Sequence, residues 1–261
     1  MNEPAQPLKV VITGASSGIG RALAREYARR GATLALIARR EDLLAQIKTS
    51  LPVPVHTYAA DVRDAAALRA VASDFVSSAG VPDIVIANAG ISAGTLTGNP
   101  DDNPVFDEII ATNVTGLMLT FQAFLGAMQQ GRQRGVLAGI ASVAGFRGLP
   151  GAGAYSASKA AAATYLESLR LELRGSGLSV VTVCPGYVAT PMTAGNPYPM
   201  PFIIDADSAA RQIAQAIERR RRFLVIPWQT AIAGALLRRL PRPLYDLLFA
   251  RAPRKLRRPQ N

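Results

Sequence analysis

The chain has 261 residues, 49% of them hydrophobic and 18% charged, which is enough apolar material for one large α/β core. Its net charge is +11, but the residues after 218 hold 12 of the 29 basic and one of the 18 acidic side chains, so the body is neutral. The single cysteine, Cys184, excludes an internal disulfide, and the N-terminus lacks the pattern of a secretion signal, so we expect a cytoplasmic location.

Apolar runs alternate with helical patterns from residue 8 to about residue 226. The predicted strands begin LKVVIT, ATLALIA, VPVHTYA, PDIVIA, GVLAGI, LSVVTV and RFLVIP. The helices between them include a long one over 104–130 and another from about Tyr155 to Arg174. Strands that are apolar on both faces and alternate with helices are typical of a covered parallel sheet. We therefore predict a Rossmann-type, doubly wound fold with a mostly seven-stranded parallel sheet and helices on both faces.

The first strand runs into TGASSGIG, Thr13 to Gly20, where the first helix begins. Glycines let phosphate oxygens approach the backbone amides, and a helix N-terminus adds partial positive charge. The spacing G-x-x-x-G-x-G differs from the usual dinucleotide fingerprint, and a plain strand-to-helix turn is the alternative. Three glycines and two hydroxyls at this junction favour a phosphate site. Its residues would be Gly14, Ser16, Ser17, Gly18, Ile19 and Gly20.

The end of the second strand indicates which dinucleotide would bind. A site that prefers NAD usually has an acid there for the ribose 2′-hydroxyl, and this chain has Ala38 followed by Arg39 and Arg40. Arginine suits a 2′-phosphate, which it can bind through two parallel hydrogen bonds. We therefore predict NADP(H), although a solvated arginine pair at a helix start is the alternative.

Six motifs then occur in a fixed order over residues 8–226. They are TGASSGIG, NAG at 88–90, ATN at 111–113, ASVAG at 141–145, YSASK at 155–159 and PG at 185–186. Together they resemble the classical short-chain dehydrogenases/reductases. The resemblance implies hydride transfer between NADP(H) and a carbonyl or alcohol substrate. It also implies a homodimer or homotetramer that pairs through the helices near 104–130 and 155–174.

The resemblance implies roles for four residues. Tyr155 matches the general acid of the family, and Lys159, one helical turn later, matches its partner. Together with an oxidised nicotinamide, the lysine would lower the pKa of the tyrosine from its usual value of about 10. An ordinary amphipathic helix is the alternative. Ser142 would hold the substrate oxygen, with a turn cap as its alternative role. Asn113 would hold a water that links the lysine to solvent.

Further cofactor contacts follow from the same resemblance. Asp61 and Val62 resemble a pair that contacts adenine, although a helix cap fits a lone aspartate equally well. The segment beside the adenine ribose would be Asn88, Ala89 and Gly90. The strip along the nicotinamide would comprise Pro185, Gly186, Val188 and Thr190.

Two C-terminal stretches are not explained by the motifs. Residues 191–204 contain few charges and several apolar side chains, which suits either a lid over a lipophilic substrate or a loop packed on the body. Residues 223–237 carry no charge, but they are only 15 residues long and are interrupted by Pro227, so we predict no membrane-spanning helix. Because arginines follow, the range 223–258 suits peripheral membrane contact or packing on the body or on a subunit.

We accordingly predict one catalytic domain over 1–226 and an apolar, basic extension over 227–261. Two other functions share part of this pattern. A sugar-nucleotide epimerase of the extended branch shares Y-x-x-x-K, but typically has a different glycine turn and a larger substrate domain. An NADP sensor without catalysis would not need all four catalytic residue types. We predict no nucleic-acid partner, because only the basic tail suggests one, and no metal, because the chain has no Cys/His cluster.

Overall fold

The computed structural model describes residues 6–131 and 134–257, and it is built on a parallel seven-stranded sheet. The strand order is β3-β2-β1-β4-β5-β6-β9. The strands are β1 (Lys9–Thr13), β2 (Thr33–Ala38), β3 (Val55–Ala59), β4 (Ile84–Ala87), β5 (Val136–Ile140), β6 (Ser179–Pro185) and β9 (Phe223–Ile226), with a separate small ladder of β7 (Val188–Ala189) and β8 (Ile204–Asp205). The predicted doubly wound α/β fold is confirmed.

Helices cover both faces of this sheet. The helices of the described residues are α1 (Gly18–Arg29), α2 (Glu41–Ser50), α3 (Ala65–Ala79), α4 (Asn103–Ile110), α5 (Gly116–Gln130), α6 (Gly153–Glu172), α7 (Ala206–Glu218), α8 (Trp228–Arg239) and α9 (Arg242–Phe249). Helices α1, α2 and α7 share one apolar core with Val10 and Ile12 of β1, whereas α3, α5 and α6 share the other with Val11. Successive strand residues point to opposite faces, so a strand buried on both sides is apolar throughout.

The strand order places a crevice beside β1. Strand β1 pairs with β2 on one side and with β4 on the other, so the direction of winding reverses between them. In doubly wound sheets ligands bind outside the carboxyl ends of the strands at such a switch point. The glycine turn, the NAG segment and Ser142 directly follow β1, β4 and β5, and therefore meet at this edge.

The predicted long helix over 104–130 is interrupted. A π-helical turn, Ala111–Thr115, separates α4 from α5. Its Asn113 turns inward to bond the backbone of Ile91, which holds the turn open. By length and composition the stretch Pro100–Gln130 could cross a membrane, but here α5 packs against α3 and supplies Phe121 and Phe124 to the core.

The C-terminal extension packs on the body. The Tyr245 hydroxyl donates to the Gly148 carbonyl at 2.6 Å, and the Arg147 guanidinium donates to the carbonyls of Leu237 and Leu240 at 3.2 and 3.0 Å. The predicted range 223–258 thus contains β9, α8, α9 and an irregular end, with residue 258 outside the described residues. The boundary at 226 stays a prediction.

Candidate active site

A cleft of about 400 Å³ opens at the carboxyl edge of the sheet. It is lined by every predicted catalytic and cofactor residue except Gly20 and Asn113, which lie behind its wall. Thr112 lines it as well, without a role predicted from the sequence, and so do Met192 and Thr193 of the loop over 191–204. The cleft therefore joins segments that are far apart in the chain at the switch point of the sheet.

The glycine turn leaves no space for side chains. Gly14 has φ +66°, and a Cβ there would lie 2.8 Å from the backbone of Ala89. A Cβ on Gly20 would overlap the carbonyl of Gly14 and the amide of Asn88. The Asn88 side chain donates to the carbonyl of Thr13 at 2.9 Å and so fixes β4 to the turn. The first backbone N–H groups of α1 have no intrahelical partner and are available to an anion.

Arg40 lies across this turn at the β2 end of the cleft. Its Nη2 atom donates to the hydroxyls of Ser16 and Ser17 at 3.0 and 3.2 Å. The Nη1 atom of Arg39 lies 3.9 Å from a carboxylate oxygen of Glu108. The two arginines therefore have different partners, and only Arg40 is held against the predicted phosphate-binding turn.

Asp61 does not cap a helix. Asp64 is the N-cap of α3 and accepts from the N–H groups of Ala66 and Ala67 at 2.8 and 3.0 Å. Asp61 instead accepts from the Arg63 guanidinium and backbone, and the hydrogen bonds from Arg63 hold the pKa of Asp61 below its ordinary value. The alternative reading of Asp61 as a cap is therefore wrong, and its carboxylate faces the cleft as part of an ion pair.

Ser142, Tyr155 and Lys159 meet at the inner end of the cleft. The Ser142 hydroxyl accepts from the Ala144 N–H at 3.1 Å, so it caps the turn after β5 as well as lining the cleft. The buried Lys159 ammonium donates to the Ile140 carbonyl at 2.8 Å and lies 5.9 Å from the centre of the Tyr155 ring. The tyrosine and lysine thus lie on the same side of α6, as their spacing of four residues requires.

Burial dominates the protonation of this pair. It raises the pKa of Tyr155 above its ordinary value of 10.0, against the lowering effect of a hydrogen bond with Ser142. It also lowers the pKa of Lys159 to about 8. Loss of hydration disfavours the phenolate, and the predicted lowering of the Tyr155 pKa by an oxidised nicotinamide together with Lys159 stays a prediction.

Asn113 supports the site from behind. Its side chain accepts from the Ile91 N–H at 2.8 Å and donates to the Ile91 carbonyl and the Ser158 hydroxyl at 3.0 and 2.9 Å. A Cβ placed on Gly90 would lie 3.2 Å from Asn113 Oδ1 and 3.4 Å from Lys159 Nζ, so the two side chains are near neighbours. Both amide hydrogens have protein partners, which leaves only Oδ1 able to bind a further donor such as water.

Two residues near the site had no role in the sequence-based prediction. Ser158 is fully buried and joins Asn113 to the carbonyl of Tyr155. Lys255 places its ammonium 5.8 Å from the centre of the Tyr155 ring. Ser158 could have been found as a polar residue on the inner side of α6, but nothing in the tail singled out Lys255 among its basic neighbours.

Comparison with known proteins shows similarity to oxidoreductases at the level of sequence. A family model described as short chain dehydrogenase matches residues 8–198. An uncharacterized oxidoreductase of Myxococcus xanthus is 40% identical over 95% of this chain and 96% of that protein. A putative ketoacyl reductase of granaticin polyketide synthase from Streptomyces violaceoruber is 40% identical over 72% of this chain and 70% of that protein.

Two solved structures share the fold. An alcohol dehydrogenase from Thermococcus sibiricus, complexed with 5-hydroxy-NADP, has a TM-score of 0.74 and 27% identity, with 85% of this chain and 96% of that chain covered. A short-chain dehydrogenase/reductase from Burkholderia phymatum, in complex with NAD, has a TM-score of 0.81 and 24% identity, with 98% of each chain covered.

Proposed function

The chain belongs to the short-chain dehydrogenases, oxidoreductases that bind a nicotinamide cofactor, and we propose that it uses NADP(H) to interconvert a lipophilic carbonyl compound and its alcohol. One observation carries this proposal: the glycine turn at the start of α1 and the cluster of Ser142, Tyr155 and Lys159 line the same cleft. A binding protein without catalysis would need the first of these features and not the second.

The glycine turn fits a dinucleotide, because Gly14 and Gly20 let the turn pack closely on Asn88 and Ala89 while the first residues of α1 line the cleft. Arg40, and more weakly Arg39, would bind the 2′-phosphate. The adenine would contact Asp61 and Val62. The remaining contacts would come from two strips, Asn88 to Gly90 on the ribose side and Pro185, Gly186, Val188 and Thr190 on the nicotinamide side.

The protein side chains would bind the substrate oxygen and move its proton. The cofactor supplies hydride transfer when it is bound. The Ser142 hydroxyl would bind the substrate oxygen, and the Tyr155 hydroxyl would donate its proton to that oxygen during reduction. Lys159 would hold the cofactor ribose and favour the phenolate that remains. Asn113 would bind a relay water through Oδ1, which supplies a path for protons from solvent.

The protonation states suit reduction at neutral pH. Burial keeps Tyr155 protonated, so the proton donor is ready before a carbonyl compound binds. Oxidation of an alcohol needs the phenolate instead. The rate of alcohol oxidation should therefore rise with pH more steeply than the rate of carbonyl reduction.

The loop over 191–204 supports an apolar substrate. Met192 lines the cleft and is partly exposed, and Phe202 and Ile203 are exposed beyond it. Tyr198 lies 6.4 Å from Tyr187, measured between ring centres, on the same side of the site. We propose that this loop acts as a lid that closes over the lipophilic part of the substrate.

The decisive experiment measures turnover of a carbonyl and alcohol panel with NADPH and NADH. The panel runs from short sugars to steroids and long-chain ketones. Tyr155→Phe should abolish turnover and leave NADPH binding nearly intact, whereas Lys159→Ala should impair both. Tyr165→Phe, on α6 outside the cleft, is the matched control and should behave like the unmodified enzyme. Substantial activity in purified Tyr155→Phe would overturn the mechanism.

We also propose a homodimer or homotetramer. Phe106 on α4 and Leu171 on α6 are exposed apolar side chains on the helices that pair in related proteins. Covering them in a subunit interface would remove apolar surface from water. Sedimentation velocity at micromolar protein should show the oligomer. A monomer with full activity would contradict the proposal.

A third proposal is peripheral membrane contact by a cytoplasmic enzyme. Trp228, Ile232 and Leu236 form one exposed stripe on α8, and α9 exposes Leu247 and Leu248. Basic residues dominate this end of the chain, and each attracts an anionic lipid surface by about 1 kcal/mol when it is near the surface. An amphipathic, arginine-rich segment of this kind suits the membrane interface.

Vesicle co-sedimentation tests this surface. The full chain should pellet with anionic vesicles at low salt and remain in solution with neutral ones. Replacing Trp228, Leu247 and Leu248 by Ser should abolish pelleting, whereas Leu8→Ser, which removes an exposed apolar side chain elsewhere, should not. If the unmodified chain stays in solution with anionic vesicles, the membrane proposal is wrong.

A further inference from the structure

The last described part of the chain, residues 250–257, packs near Tyr155, which lines the cleft. The N–H of Gly94 donates to the carbonyl of Leu256 at 2.9 Å, which joins this terminal segment to the loop after β4. On the other side, a Cβ on Gly151 would lie 2.8 Å from Cβ of Arg254, so the segment also packs against the loop before α6. It therefore closes the space between two loops that border Tyr155.

An ion pair fixes the end of the terminal segment. The Arg257 guanidinium donates to both carboxylate oxygens of Asp102, with the shortest distance 2.8 Å. The Asp102 carboxylate also accepts a hydrogen bond from the N–H of Leu96, in the loop after β4, at 2.8 Å, and this bond fixes its position. Because Arg257 and Leu256 are both anchored, the backbone of the preceding residue, Lys255, is held in place.

Lys255 is directed towards the reactive tyrosine. Its ammonium lies 5.8 Å from the centre of the Tyr155 ring, which Lys159 approaches to 5.9 Å. The side chain is half-buried, and burial lowers its pKa. Within residues 6–131 and 134–257 no hydrogen bond or ion pair satisfies this ammonium, and the Tyr155 ring face is its one partner there.

A partly desolvated cation of this kind is stabilised by an anion. Asp102 is occupied by Arg257, so it does not supply the countercharge. The phosphates of a dinucleotide would lie at the glycine turn and Arg40, in the part of the cleft that contacts the cofactor. The anion that Lys255 can bind is therefore a group on a substrate that contacts Tyr155.

We propose that Lys255 is a substrate-recognition residue that binds a carboxylate, so that the preferred substrates are oxo acids, or the matching hydroxy acids, with an apolar body. This rests on the proposed oxidoreductase function and adds the chemical class of its substrate. The apolar lid and the cation have complementary roles, because the lid contacts the hydrocarbon part and Lys255 the charged end.

Matched substrates test the proposal. Linear keto acids of short, medium and long chain length are compared with their methyl esters, which keep the carbonyl and remove the charge. The unmodified enzyme should favour the acids in kcat/KM. Lys255→Met should lower kcat/KM for the acids about 10- to 100-fold and leave the esters unchanged, which is the range expected for a hydrogen bond to a charged group. Lys255→Arg should restore most of the loss.

Arg251→Met is the matched control, since it removes one positive charge from the same exposed tail. It should leave both substrate series unchanged. Equal loss for acids and esters in Lys255→Met would overturn the proposal, because it would mean that Lys255 acts on Tyr155 or on the fold. The absence of a preference for acids in the unmodified enzyme would overturn it as well.

A binding measurement separates this proposal from the proposed function. Calorimetric titration compares a saturated carboxylate with the primary alcohol of equal length, at the same three chain lengths. Tighter binding of the carboxylate that is lost in Lys255→Met supports the proposal even if no ketone is turned over. Failure of every carbonyl compound with both cofactors would overturn the oxidoreductase proposal alone. Equal binding of carboxylate and alcohol would overturn the role of Lys255 alone.

Discussion

Replacing Arg40 by Met should remove most of a preference for NADPH over NADH. Arg40 is held against the glycine turn by hydrogen bonds from Nη2 to Ser16 and Ser17 at 3.0 and 3.2 Å. These bonds use one of its three nitrogen atoms, which leaves the N–H groups on Nε and Nη1 available to a 2′-phosphate. NADH lacks this phosphate, so its binding should not depend on the guanidinium.

The size of the effect follows from hydrogen bonds to a charged group. Such a bond contributes about 1.5–3 kcal/mol, and the exposure of Arg40 favours the lower part of that range. A loss of about 2 kcal/mol corresponds to about a 30-fold fall in the ratio of kcat/KM for NADPH to that for NADH. Arg39→Met should have a smaller effect, because Arg39 lies beside Glu108, whose carboxylate competes with a phosphate for the guanidinium. Arg40→Lys should be intermediate, since it keeps the charge without the planar fork.

The assay measures kcat/KM for both cofactors with one carbonyl substrate, and dissociation constants from the fluorescence of bound reduced cofactor. Arg69→Met, on the exposed side of α3, controls for loss of one positive charge. Ala38→Asp combined with Arg39→Met should move the cofactor preference towards NADH. The introduced carboxylate repels the 2′-phosphate of NADPH and accepts a hydrogen bond from the 2′-hydroxyl of NADH. The reasoning is refuted if the unmodified enzyme already prefers NADH, or if Arg40→Met keeps the original ratio.

Three further predictions concern the glycine turn, the buried lysine and the buried asparagine. Gly20→Ala should weaken NADPH binding at least about tenfold by calorimetry, because its Cβ would overlap the Gly14 carbonyl, whereas Gly126→Ala, with open space around it, should not. Burial lowers the pKa of Lys159 from 10.5 to about 8. Between pH 8 and pH 10.5 the lysine is therefore protonated in the unfolded chain and largely deprotonated in the folded one, so the free energy of unfolding should rise with pH over this range. In urea unfolding, the free energy of unfolding of the unmodified protein should increase from pH 7 to pH 10 by up to about 3 kcal/mol more than that of Lys159→Met. An equal change in the two proteins would contradict the burial of the Lys159 cation. Asn113→Ala should lower the free energy of unfolding by about 2–3 kcal/mol in the same assay, because it removes the side-chain partner of the Ile91 N–H and carbonyl and one of the two hydrogen bonds of the buried Ser158 hydroxyl. A loss below the error of the method would show that these bonds are not formed.

The sequence by itself determined the sheet and most of the cleft. Strands such as β1 are apolar on both faces, and a strand of this kind is stable only inside a covered parallel sheet. Once the sheet is parallel, every strand-to-helix turn lies at the same edge, so the glycine turn, Ser142 and Pro185 must meet. The pairing of Tyr155 with Lys159 is equally local, because helical geometry fixes residues four apart.

Only the tertiary structure decided what depends on distant neighbours. The inward turn of Asn113 is set by Ile91 and Ser158, which are 22 and 45 residues away, whereas the local pattern predicted a continuous helix. The raised pKa of Tyr155 follows from burial, which no pattern of residue types measures. Lys255 is the clearest case. It is one of many basic residues in the tail, and its place beside Tyr155 arises because Arg257 pairs with Asp102 across more than half of the chain. Contacts of such separation leave no local periodicity, so the sequence alone could not identify them.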